Sequence, residues 1–77
     1  MLTTYPEIRD RIYELARRHS LRPDWVETTR ELRYLLLYDA NQIVVARTTV
    51  PLRRLGPKPL TRLAQDLEAV FGKDWME

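Results

Sequence analysis

The stretch "LRYLLLYDANQIVVARTTV", Leu32 to Val50, decides the fold. Read at period two it is a β-hairpin, two apolar runs with "DANQ" supplying the turn. Ile43, Val44 and Val45 favour a strand because their Cβ atoms are branched. With Ala40-Asn41 as the turn, Tyr38 faces Ile43, Leu36 faces Val45 and Tyr34 faces Arg47. Trp25 to Thr29 then adds a short third strand. A helical reading competes over residues 25–38. "DWVE", Asp24 to Glu27, has the form of a capping box, and Trp25, Thr29, Leu32 and Leu36 match one helix face.

If the hairpin forms, it is apolar on both sides. Alternate side chains of a strand point to opposite faces. One face holds Leu32, Tyr34, Leu36, Tyr38, Ile43, Val45 and Arg47. The other holds Arg33, Leu35, Leu37, Val44, Ala46, Thr48 and Val50. A hairpin covered on one side alternates apolar with polar, so each of these faces needs a cover. Either one helix lies on each side of the sheet, or both helices lie on the Leu35/Leu37 side and the tyrosine side meets another molecule. Tyr34, Leu36, Tyr38 and Val45 have the aromatic, low-charge composition of a contact surface and are the candidates for self-association.

Helices flank the hairpin. In "TYPE" the Thr4 hydroxyl is placed to accept from the Glu7 amide, and the Glu7 side chain to reach back, which starts a helix at Thr4. Pro6 falls in its first turn, where a missing N–H does no harm. Ile8, Ile12, Leu15, Ala16 and His19 share its apolar face. Glu7 with Arg11 and Glu14 with Arg18 stand four apart in the favourable order. This helix stops before Pro23. Pro51 ends the hairpin and "GPKP" prevents a continuous element. A last helix follows, with Pro57 or Pro59 near its start and Leu60, Leu63, Ala64, Leu67, Val70 and Phe71 as its apolar stripe. Gly72 is its left-handed stop, and Trp75 and Met76 fold back as an apolar cap.

The expected architecture is therefore a small α+β domain over residues 1–77, ordered α-β-β-β-α, with a three-stranded antiparallel sheet. Seventy-seven residues make one domain at most. A chain of that size buries only roughly 60% of its unfolded surface, and without cysteine no disulfide can add to its stability. Association is one remedy, so a homodimer is expected. Runs such as "YLLLY" are far short of a membrane span, and "MLTTYPEIRD" lacks the basic and apolar regions of a signal peptide. A cytoplasmic protein with no membrane partner is the resulting expectation.

Catalysis is not indicated. His19 is the sole histidine, it sits near a helix end, and its neighbour Ser20 points about 100° away from it on a helix. One histidine without cysteine gives no usual transition-metal set, and no cofactor motif is present. "GPKPLTR" resembles a phosphate loop, but its prolines remove the amides such a loop uses. "GKDW" lacks the preceding glycine loop and the Ser or Thr of a P-loop.

Charge is the remaining signal. The sixteen residues from Arg47 to Arg62 hold five basic side chains and no acidic one, whereas the other residues hold eight basic and eleven acidic. Arg47, Arg53, Arg54, Lys58 and Arg62 are the candidate partner-binding residues, and four are Arg, suited to bidentate contact with carboxylate or phosphate. Arg62 can pair with Asp66 one turn on, and Glu27, Glu31, Asp74 or Glu77 could neutralise others. An adaptor-like or inhibitor-like protein-binding module that meets an acidic protein surface is one reading. Binding of duplex RNA or DNA is the alternative.

The order of elements also resembles that of double-stranded RNA-binding domains over most of the chain. In that family basic residues at the start of the last helix grip phosphates across the major groove. The resemblance puts Lys58 and Arg62, in "KPLTRL", at that place. Against the family pattern, its Gly-Pro and His between the first two strands have no counterpart in "ETTREL", Glu27 to Leu32. Its lysine cluster is reduced to one Lys and one Arg, and "PLRRLGP", Pro51 to Pro57, is additional.

Overall fold

The computed structural model describes residues 2–27, 31–53 and 56–77. Helix α1 (Tyr5–Arg18) is followed by strands β1 (Arg22–Glu27), β2 (Leu32–Tyr38) and β3 (Val44–Pro51) and by helix α2 (Pro57–Phe71). The strands form one antiparallel sheet in the order β1-β2-β3. Residues 32–38 are thus a strand. The helical alternative failed because Leu35 and Leu37 are buried at period two, not at helical spacing.

Both helices cover the same face. Ile8, Ile12 and Ala16 of α1 and Leu60, Leu63, Leu67 and Phe71 of α2 join Leu35, Leu37 and Val50 in a single buried cluster. Helix α1 lies over β1, and α2 lies over β3. Trp75 and Met76 fold back into the same cluster, as their apolarity suggested. The Trp75 indole N–H donates to the Ala64 carbonyl at 2.9 Å, and the Leu2 amide to the Met76 carbonyl at 2.9 Å. Arg11 does not turn to Glu7. Its Nη1 donates to the main-chain oxygens of Trp75 and Glu77, each at 2.7 Å, which ties the C-terminal turn to α1.

Local signals explain most boundaries. At the start of α1 the Thr4 hydroxyl donates to Glu7 Oε1 at 2.6 Å instead of accepting from the Glu7 amide. That hydrogen bond holds the Glu7 carboxyl below the usual carboxylate range. Helix α1 ends in a Schellman turn. The Ser20 amide reaches the Arg17 carbonyl, the Leu21 amide reaches that of Ala16, and Ser20 takes φ 57°. Gly72 ends α2 with φ 91° and ψ 167°, so it is an extended glycine conformation and not the left-handed helical one expected. Strand β1 starts at Arg22 and includes Pro23, three residues earlier than Trp25. An edge strand tolerates that proline because one of its sides needs no donor. Thr28 and Thr29 lie outside the described residues.

The hairpin differs from its expected register. Leu36 pairs with Arg47 and Tyr34 with Thr49, two positions on from Val45 and Arg47. Asp39 is the cause. Its carboxylate accepts from the amides of Asn41 at 2.8 Å and Ile43 at 3.0 Å. The Gln42 amide donates to the Asp39 carbonyl, and Gln42 takes φ 63°. With the Asp39 amide donating to the Ile43 carbonyl at 2.9 Å, these bonds build a tight turn over residues 39–43 that contains one left-handed residue. Ile43 becomes a loop residue, 59% exposed, and Val44 stands opposite Tyr38 rather than in the core. An irregularity between Leu37 and Tyr38 leaves Val45 as an extra residue on β3, which returns Ala46, Thr48 and Val50 to the helix side.

Candidate functional site

The sheet face away from the helices carries the self-association candidates. Trp25, Leu35, Leu37, Ala46 and Val50 point into the core or pack against it. Their strand neighbours Asp24, Val26, Tyr34, Leu36, Tyr38, Arg47 and Thr49 therefore point the other way. None of these seven belongs to the buried cluster or to the residues packed on it. Tyr34, Leu36 and Tyr38 run down the middle of this face as partly exposed side chains. Val26, Val44 and Val45 flank them at 43%, 43% and 42% exposure, a level at which a valine is no part of a core. Arg22 lies across the Tyr38 ring, 4.5 Å from its centroid, and donates to Gln42 Oε1 at 3.0 Å.

The basic candidates separate into three groups. Arg53 forms an ion pair with Glu31 at 2.9 Å, one of the neutralising partners the sequence offered. Arg54 lies outside the described residues. Arg47, Lys58 and Arg62 remain, and the fold brings them to the same margin. Strand β3 is an edge strand with α2 packed beside it. Arg47 projects from the open face and Arg62 from the exposed side of α2. Together with Tyr34, Thr48, Thr49 and Asp66 they line one depression of about 520 Å³ that passes around the edge of β3. A neighbouring depression of about 270 Å³ adds Lys58 and shares Thr48, Thr49, Arg62 and Asp66.

Asp66 is the residue that charge counting misassigned. The expected pairing with Arg62 is not among the ion pairs of the described residues. Asp66 instead accepts a hydrogen bond at 2.8 Å from the hydroxyl of Thr48, which is buried. This bond satisfies a buried hydroxyl and fixes a carboxylate in the two depressions that Arg47, Lys58 and Arg62 line. The sequence carried no signal for it, since Thr48 and Asp66 are eighteen residues apart and meet only when α2 docks on β3. His19 is exposed at the end of α1, with its ring 5.9 Å from that of Phe71, and acts as a helix-terminal packing residue. Among the described residues no group of three His, Cys, Asp or Glu side chains could hold a metal ion, and no helix is long and apolar enough to cross a membrane.

No family model matches the chain, and no curated protein or solved structure matches it.

Proposed function

We propose that this chain is a binding module rather than an enzyme, a homodimer that holds an acidic protein surface against the margin between β3 and α2. The observation that carries this reading is the wrap-around depression itself. Lys58 and Arg62 stand there with a fixed carboxylate, Asp66, and the depression continues past Thr48 and Thr49 to Arg47 at the edge of the open sheet face. Guanidinium groups beside tyrosine and aliphatic side chains have the composition of protein-binding hot spots. The carboxylate favours protein over nucleic acid as the target. A phosphate track would bring uniform negative charge past Asp66, whereas a protein surface can place carboxylates at the cations and a donor at Asp66. Tyr34, Leu36, Tyr38 and Val45 supply the self-association surface, because a chain this small gains stability by covering them.

Fluorescence anisotropy with a labelled oligoglutamate peptide and, separately, a labelled RNA duplex tests the choice of target. The expected result is peptide binding that Lys58→Glu/Arg62→Glu abolishes, with little retention of the duplex. Duplex binding that weakens steeply with salt, without peptide binding, transfers the site to nucleic acid. Binding of neither probe overturns the proposed role of the basic margin.

A further inference from the structure

Strand register dictates how two copies can meet. Across the open face the residues form rows, Arg22–Tyr38–Val44, Asp24–Leu36–Arg47 and Val26–Tyr34–Thr49. The middle row has a base at one end, an acid at the other and leucine between. Asp24 and Arg47 stand two strand spacings apart, about 9–10 Å. Among the described residues neither side chain makes a hydrogen bond or an ion pair within the chain. Arg22, the other cation of the face, is already engaged by Tyr38 and Gln42.

We propose that two copies pack these faces together about a two-fold axis running along β2, so that Asp24 of each copy meets Arg47 of the other. This rests on the self-association proposed above and specifies its geometry. Rotation about that axis lays β2 on β2 and β1 on β3 of the second copy, as a self-complementary contact requires. Leu36 stacks on Leu36, with Tyr34 and Tyr38 on their counterparts above and below. Two reciprocal Asp24–Arg47 pairs close the flanks, and Val26 covers Thr49. A two-fold axis running across the strands at the same row would set Asp24 on Asp24 and Arg47 on Arg47, and facing like charges oppose association. Sliding that arrangement by one row matches Asp24 with Arg22, but it draws Arg22 from Tyr38 and Gln42 and leaves Arg47 over Val44. The axis along β2 alone satisfies both idle charges at once. Arg47 then belongs to the dimer contact, and Lys58 and Arg62 stay outside it for an acidic partner.

The contact is small. Three strands about 4.8 Å apart and roughly seven residues long project a footprint of about 14 by 23 Å, or roughly 330 Å² per copy. A standard interface covers about 800 Å² on each partner, so this dimer is micromolar or weaker and concentration-dependent. Its pairing specificity comes from the charge pattern.

Sedimentation equilibrium over a wide concentration range tests the geometry. Asp24→Arg and Arg47→Asp each place like charges on both flanks, and each is expected to weaken self-association at least about tenfold. An equimolar mixture of the two variants restores it, because every mixed dimer contains both opposite-charge pairs. The doubly substituted chain, Asp24→Arg with Arg47→Asp, also dimerises like the original. Recovery on mixing shows in the same experiment that both single variants are folded. Single variants that dimerise unchanged overturn the geometry, as does sensitivity at Asp24 without sensitivity at Arg47, or no recovery on mixing while circular dichroism shows both folded. An original chain that stays monomeric throughout overturns the self-association itself.

Discussion

Leu35 and Leu36 are neighbours on one strand with opposite fates, and truncating each in turn measures the two faces separately. Leu35 is fully buried beneath both helices. Leu35→Ala removes its transfer energy and leaves a cavity, a loss of about 3 kcal/mol within the usual 2–5 kcal/mol range. A 77-residue domain has a total stability of roughly 4–12 kcal/mol, so that loss is a large share of it. The melting temperature should fall by about 12–24 °C, at roughly 4–8 °C per kcal/mol for a domain this size. Leu36 lies on the open face, partly exposed and outside the core cluster. Leu36→Ala should cost only about 0.5–1 kcal/mol of monomer stability, in proportion to the apolar area it keeps from water. The assay is urea unfolding followed by circular dichroism at a protein concentration too low for association, with the melting curve as a second readout. Equal losses for the two variants would refute the one-sided packing, because Leu36 would then be covered within its own chain.

Ser20→Gly should stabilise the domain by about 0.5–1 kcal/mol, since Ser20 already holds the left-handed conformation that glycine adopts without strain; an unchanged urea midpoint would contradict the Schellman turn. The two tryptophans should respond differently to phenylalanine. Trp75→Phe loses the hydrogen bond to the Ala64 carbonyl, a loss of about 0.5–1.5 kcal/mol, whereas Trp25→Phe removes a buried indole N–H that has no partner among the described residues and should lie nearer neutral. Thermal melts compare them directly. The Glu7 carboxyl is held down in the folded chain, so its contribution is full above the ordinary carboxylate value and is lost as the pH falls through its lowered folded value. Glu7→Gln should therefore flatten the stability profile on the acid side of the ordinary carboxylate range, and an identical profile for the two chains would contradict the Thr4–Glu7 contact.

The order of elements and both apolar faces were legible because period-two alternation survives errors of register. Moving the pairing by two positions returns Leu36 and Arg47 to the face they were assigned, and the extra residue at Val45 absorbs the remaining offset. The loop was less legible. Its length is set by the Asp39 carboxylate reaching two amides, and "DANQ" is compatible with more than one loop length. Which face the helices choose was indicated only by the tyrosines on the other one, since both faces are apolar. It follows from three-dimensional packing of α1 and α2 on Leu35, Leu37 and Val50. In the basic segment, charge counting found Lys58 and Arg62 and offered Glu31 as a neutralising partner, which Arg53 meets, but it could not foresee that Thr48 anchors Asp66 beside them. Asp24 was hidden for the same reason. Its place opposite Leu36 and in line with Arg47 depends on where β1 begins, and Pro23 obscured that start.

Methyl and ring protons on the two sheet faces can be compared by their relaxation from a soluble paramagnetic agent, in dilute and in concentrated protein. Val26, Leu36 and Val44 should be strongly relaxed when dilute and protected when concentrated, while Leu35 and Leu37 stay protected at both. Protection of Leu36 in the dilute sample, or no change in its relaxation on concentration, would contradict a sheet sheltered by its helices on one side and by a second copy on the other.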